Sequence, residues 1–240
     1  MFNYTNKLIQ GWKENVSPRL SPLLSFVWVG GFAIAVFSLW GFFQIAEKVF
    51  AEETADFDTA ILQSIYKLHT PLLNQIMTGI TFFGNGSTLI FLSCFVGILL
   101  LVSRKFASAF TLVIVAFGGL GLNAWLKTLF ARVRPALWER IVDVNSFSFP
   151  SGHAMVSLVI YGFVGYLLIA NFRPWRGLIL FFTTLLILAI GFSRVYLGVH
   201  WLTDVIAGYA AGLVWLISCI FSLEILQSLL RRKNQQAVND

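Results

Sequence analysis

Apolar runs long enough to cross a hydrocarbon layer take up most of this 240-residue chain and leave it little choice of fold. A bilayer core needs about 20 apolar residues per helix. Five such runs lie at roughly 23–46, 87–103, 106–130, 177–192 and 204–226, and a shorter sixth at 153–170. Backbone in lipid satisfies its own polar groups, and segments of this length do so as helices. The expected fold class is all-α: a polytopic membrane helix bundle with six transmembrane helices. Charge is correspondingly scarce, 12% of residues, where a soluble domain carries about 25%. The expected division is a cytoplasmic segment at 1–22, a six-span domain at 23–226 and a cytoplasmic tail at 227–240.

Two segments are less regular. In 1–21, Leu8, Ile9, Trp12 and Val16 recur at helical spacing among Lys7, Lys13 and Arg19, the pattern of a surface-lying amphipathic helix. In 59–86, apolar positions are interrupted by Lys67, His69, Pro71 and Asn74, which predicts one or two amphipathic helices near the membrane surface rather than a further span. Orientation follows from basic residues in short loops. Lys7, Lys13, Arg19, Arg104, Lys105, Arg173, Arg176, Arg231, Arg232 and Lys233 fall on one set of loops, whereas 47–58 carries five acids against one lysine. Six spans with both termini cytoplasmic fit this asymmetry, in a plasma (inner) membrane. The segments 131–152 and 193–203 then share the outer, periplasmic face.

The formal net charge of +6 does not indicate nucleic acid, because the aromatics lie inside apolar runs rather than along a basic groove. Cys94 and Cys219 sit within predicted spans without metal-ligand or disulfide spacing. No cofactor motif is present: the glycines at 118, 119, 121, 208 and 212 have helix-packing spacing and lack the strand context of a dinucleotide site or P-loop. No repeat of transporter type is apparent.

Against this background three short polar clusters stand out. Lys127 and Arg134 are seven residues apart, two turns of one helix face if the helix continues, and Pro135 ends it. Taken alone they read as cations snorkelling at a span end. Pro150-Ser151-Gly152-His153 opens an apolar helix, with Ser151 as N-cap, Gly152 permitting close backbone approach, and free N–H groups suited to an oxyanion. Capping alone accounts for Ser151 and Gly152 but not for the histidine. In the third cluster His200 and Asp204 are four apart, at the start of the last helix. A carboxylate on one imidazole nitrogen fixes the tautomer and frees the other nitrogen as base or nucleophile. Arg194 adds a planar donor fork for phosphate oxygens. Together the clusters put three cations, a helix N-terminus, two imidazoles and a carboxylate on one membrane face, the parts needed to bind a phosphate and cleave its ester.

Lys127 to Arg134-Pro135, Pro150-Ser151-Gly152-His153, and Ser193-Arg194 with His200 and Asp204 resemble, at every position and in order, the tripartite signature of the type 2 phosphatidic acid phosphatase superfamily. The likeness is strongest over about 120–210. It implies that His200 is the nucleophile of a phosphohistidine intermediate and that Asp204 holds it. It implies that His153 protonates the leaving oxygen and later activates water. Lys127, Arg134, Ser151, Gly152 and Arg194 would bind the phosphoryl oxygens. Arg132 and Arg140 lie off the motif and receive no role, and Arg140 reads as a solvated loop charge. The implied enzyme is a metal-independent membrane phosphatase without cofactor. Its partners would be the bilayer and a lipid phosphate or pyrophosphate: undecaprenyl pyrophosphate, phosphatidylglycerophosphate or phosphatidic acid. The same residues would also serve a lipid phosphotransferase, and a lipid-binding or transport protein with an idle site is the alternative outside enzymes.

Overall fold

In the computed structural model the described residues are 26–138, 142, 144 and 146–239. They form an all-helical membrane bundle, without strands among them. The helices are α1 (Phe26–Phe50), α2 (Ala55–Tyr66), α3 (Pro71–Phe82), α4 (Gly86–Val102), α5 (Phe106–Phe130), α6 (Gly152–Asn171), α7 (Arg176–Tyr196) and α8 (Leu202–Asn239). The proposed surface helix at 1–21 lies outside the described residues.

Five of these segments are long and apolar enough to cross a membrane. Helix α4 has 17 residues, ~25 Å of rise, and falls short of the hydrocarbon thickness alone. With α3, from which it bends by 43°, it passes the same test as a broken span. The stretch 59–86 therefore holds two helices, and the second joins α4 in this bent pair.

α6 is the centre of the bundle. Ala154 to Ile160 are buried without interruption, and α7 and α8 pack along its sides. The α6–α8 contact depends on two glycines: a Cβ on Gly208 would stand 2.8 Å from the Ser151 carbonyl oxygen, and one on Gly212 would stand 3.0 Å from that of Met155. This is the small-residue packing that membrane helices use to bring backbones close. The outer faces of α1, α4, α5 and α7 present large apolar side chains, among them Phe37, Phe91, Phe117 and Phe181, each more than half exposed. Such surfaces are stable against lipid, not water. Within α5 a single π-helical stretch at Ile114–Gly118 disturbs the regular bonding, and the Val115 carbonyl accepts from Trp215 Nε1 at 3.3 Å.

Three boundaries differ from expectation, and each bears on the site. α5 stops at Phe130 because Ala131 adopts the left-handed conformation with φ 44°. Arg134 therefore lies on the following loop, not two turns along the same helix. α7 runs on to Tyr196, so Ser193 and Arg194 form its last turn rather than a loop. α8 begins at Leu202, which leaves His200 ahead of the helix, and it continues past residue 226 to Asn239.

Candidate active site

Each polar cluster is delivered to the same end of the bundle by a helix terminus: α5 ends there, α6 begins, α7 ends and α8 begins. The termini are tied together. Ser151 N–H donates to the Asp204 carbonyl at 2.9 Å, joining the starts of α6 and α8. Ser151 also caps α6, its hydroxyl accepting from Ala154 N–H at 3.4 Å. The Arg194 carbonyl accepts from Val199 N–H and His200 N–H at 3.2 and 3.3 Å, so the turn after α7 folds His200 back onto the last turn of that helix. Gly198, with φ 69°, permits that turn.

His200 is fully buried. Its Nδ1 lies 3.2 Å from Asp204 Oδ2, and its Nε2 lies 3.0 Å from Arg134 NH1. A guanidinium only donates, so Nε2 must carry the lone pair and Nδ1 the proton. The two partners thus fix the tautomer required of a nucleophile. Burial drives the imidazole down from 6.5 to about 3, with the Arg134 and Arg194 charges adding to the fall and Asp204 opposing it. The ring is neutral at physiological pH. In the unfolded chain it would take a proton near 6.5, so between about 3 and 6.5 the unfolded state binds more protons and stability declines as pH falls. Detergent-solubilised protein is expected to melt at a lower temperature at pH 5 than at pH 7.5, with His200→Asn removing part of that slope. Parallel slopes would contradict a buried neutral imidazole.

Asp204 uses both oxygens. Oδ2 accepts from His200, from the Trp201 N–H at 2.9 Å and from the Ser148 hydroxyl, and Oδ1 accepts from Arg132 NH1 at 2.7 Å. The bond to Trp201 N–H also caps α8. His153 follows the first residue of α6, and its Nε2 lies 3.0 Å from Asn85 Oδ1 in the α3–α4 turn. Gly84 is what lets that turn approach: a Cβ there would stand 2.7 Å from His153 Cδ2 and 2.6 Å from Ile190 Cγ2. His153 is within electrostatic reach of Arg194, His200, Arg134 and Lys127.

The cations are held differently from one another. Arg194 is buried at the end of α7; NH1 donates to Thr81 Oγ1 at 2.7 Å, while Nε finds no acceptor among the described residues. Lys127 Nζ donates to the Phe147 carbonyl. Arg134 donates to the carbonyls of Ser146, Val199 and Phe147 at 2.6–3.1 Å as well as to His200. It therefore shapes the 146–147 segment, besides placing a charge at the site. A Cβ on Gly152 would lie 2.9 Å from Asn123 Oδ1 and 3.8 Å from Lys127 Cε, so its absence makes room for the Asn123 amide rather than only for a ligand. Beside the site a cavity of about 600 Å³ is lined by Lys127, Arg132, Arg134, Ser146 and Phe147, and by Ala124 and Thr128 on the exposed face of α5.

Every residue singled out in the sequence thus converges here: Lys127, Arg134, Ser151, Gly152, His153, Arg194, His200 and Asp204. The residues not anticipated are Asp58, Thr81, Asn85, Arg132 and Ser148. Asp58, read as one acid of an outer loop, is fully buried in α2 and pairs with Arg132 at 2.9 Å. Arg132, set aside as off the motif, joins that acid to Asp204. The available signal was that charges in so apolar a chain must be paired to be buried. Arg140 lies outside the described residues.

The family model for the PAP2 superfamily matches residues 105–225. Phosphatidylglycerophosphatase B of Bacillus subtilis is 34% identical over 181 residues, covering 74% of this chain and 89% of that protein. The chain belongs to the PAP2 superfamily. Among solved PAP2 structures, the crystal structure of the transmembrane PAP2-type phosphatidylglycerolphosphate phosphatase from Bacillus subtilis superposes with a TM-score of 0.73 at 30% identity, covering 81% of this chain and 96% of that one. An undecaprenyl-diphosphatase of Sulfolobus acidocaldarius is 28% identical over 166 residues, 67% of this chain and 76% of that protein. This PAP2 member is accordingly an integral membrane protein of a lipid phosphatase family.

Proposed function

We propose that the protein hydrolyses lipid phosphomonoesters or pyrophosphates through a phosphohistidine on His200. The observation that carries this reading is the pairing of a lone pair on His200 Nε2 with a proton on Nδ1 directed at Asp204, in a pocket faced by Lys127, Arg134 and Arg194. Counting Arg132 as well, four cations stand against Asp58 and Asp204, which leaves a net +2 around a neutral imidazole. A phosphate monoester carries about −2 at neutral pH.

Phosphoryl transfer needs chiefly positioning and stabilisation of equatorial charge. The phosphoryl group takes the place of the Arg134 N–H at Nε2, and Arg134 then donates to a phosphoryl oxygen. Arg194, with one edge fixed by Thr81, presents its remaining donors to the others. The N–P bond forms as the ester P–O bond breaks. His153, neutral among these cations, takes up a proton when the anionic phosphate binds beside it, gives that proton to the leaving oxygen, and then as the neutral base takes one from the water that releases phosphate from His200. Fixed cations supply the charge stabilisation, so no metal is required.

The head group enters through the cavity flanked by Lys127 and Arg134 while its tails remain beside α5. The basic-residue asymmetry of the loops supports a site on the outer face of the membrane, with both termini cytoplasmic. Among substrates, phosphatidylglycerophosphate and undecaprenyl pyrophosphate are favoured by the names of the relatives. Purified protein is expected to release phosphate from one or both, at an unchanged rate after exhaustive chelation. No release from a lipid panel contradicts the hydrolase reading. Loss of rate on chelation, restored by metal, contradicts metal independence. Labelled phosphate appearing on an acceptor lipid instead of in water identifies a phosphotransferase.

A further inference from the structure

Arg132 grips two buried carboxylates at once. NH2 donates to Asp58 Oδ2 at 2.9 Å and to Thr54 Oγ1 at 2.8 Å. NH1 donates to Asp204 Oδ1 at 2.7 Å and to Thr203 Oγ1 at 2.8 Å. Asp58 is itself aimed by α8, accepting from Thr203 N–H at 3.1 Å and from the Thr203 hydroxyl at 2.6 Å. The ring of contacts therefore closes from α2 through the 131–134 loop to the start of α8. Each terminal guanidinium nitrogen has two N–H bonds, and both pairs are taken by protein acceptors. Arg132 is in this way committed to the protein, unlike Arg194, whose buried Nε has no partner among the described residues.

We propose that the Asp58–Arg132 pair is a positioning device for the reaction: it fixes Asp204 Oδ1, and thereby holds Oδ2 on His200 Nδ1. Rotation of an aspartate carboxylate about its last bond is soft, so the backbone at Asp204 does not decide which way the group faces. Oδ2 already serves Ser148, Trp201 and His200, and small rotations trade one of these for another. A planar fork clamped on its far edge by Asp58 and Thr54 can hold the near edge at one angle, which a flexible ammonium cannot. The inference rests on His200 as nucleophile and adds α2, a helix outside the three sequence clusters, to the machinery that aligns it.

The test uses the full chain in detergent with a lipid phosphate that the wild type cleaves. Arg132→Lys and Asp58→Asn are compared alone and with Asp204→Asn, each at a temperature below its own melting transition. Each single variant is expected to lose about 10- to 100-fold in kcat, the range for removing the partner that orients a reacting group's ligand, with KM within about threefold. Added to Asp204→Asn, either is expected to cost less than about twofold, since its effect passes through Asp204. Undiminished losses in the Asp204→Asn background overturn the proposal. So does a raised KM with kcat retained, which would mean substrate contact. A second readout needs no substrate: in spectra of ¹⁵N-histidine-labelled protein, Arg132→Lys is expected to shift the His200 Nδ1–H signal, and an unmoved signal overturns the proposal. If the wild type cleaves no lipid phosphate, the functional reading fails while this spectrum still decides on the positioning role.

Discussion

His200→Ala is expected to lower turnover by at least about 10⁴-fold while leaving the protein inserted and folded. Loss of a nucleophile removes the covalent route itself, and knockouts of this kind elsewhere cost about 10⁶ in kcat. The fold has reason to survive. The helices around His200 are packed by side chains the substitution does not touch: Leu62, Ala154, Val195 and Val205 form one buried cluster beside it, and Tyr196, Leu197 and Val199 another. Phosphate release by the variant should be measured beside its melting temperature. A folded variant with near-wild-type kcat would remove His200 from the chemistry.

Arg194→Lys is the second large effect, with an expected loss of about 10²- to 10³-fold in kcat/KM, the usual consequence of deleting one preorganised donor to developing charge. The substitution conserves charge, so the loss comes from geometry. Thr81 holds one edge of the guanidinium, and the plane then directs the remaining N–H bonds. A lysine ammonium has a single centre: it can satisfy Thr81 or reach a phosphoryl oxygen, with no rigid plane to do both. An unaltered kcat/KM would show that Arg194 does not touch phosphate. Thr81→Val serves as the companion measurement. It leaves the charge in place and frees the fork, and a smaller loss of the same kind is expected.

The spans were legible because crossing lipid demands long apolar runs, and such runs are visible whatever they pack against. The helix ends were less so. Nothing in the residues around Ala131 announces a left-handed turn, so Lys127 and Arg134 look like one helix face when they are not. Ser193 and Arg194 look like loop because they are polar, yet α7 carries them inward as its final turn. Within the site, residues with a fixed local spacing were found from sequence: His200 with Asp204, and Ser151 with Gly152 and His153. Those that act across the fold were not. Asp58 meets Thr203 at a separation of 145 residues and Arg132 meets Asp204 at 72, distances over which no periodicity operates. Asn85, between Gly84 and Gly86, looks like an ordinary turn residue, and Ser148, beside Ser146 and Ser151, looks like ordinary loop. Asp58 and Arg132 were the exception in principle, since charges of opposite sign in so apolar a chain invite pairing. The loop assignment of Asp58 hid the pair.

The most direct measurement traps the intermediate. Protein mixed with a lipid substrate labelled in its phosphate and quenched within the first turnover should carry label stable to alkali and lost in acid, as expected of a phosphorus–nitrogen bond, on the peptide containing His200. Label on another residue, or single-turnover hydrolysis in which the protein is never labelled, would contradict attack by the imidazole on phosphorus.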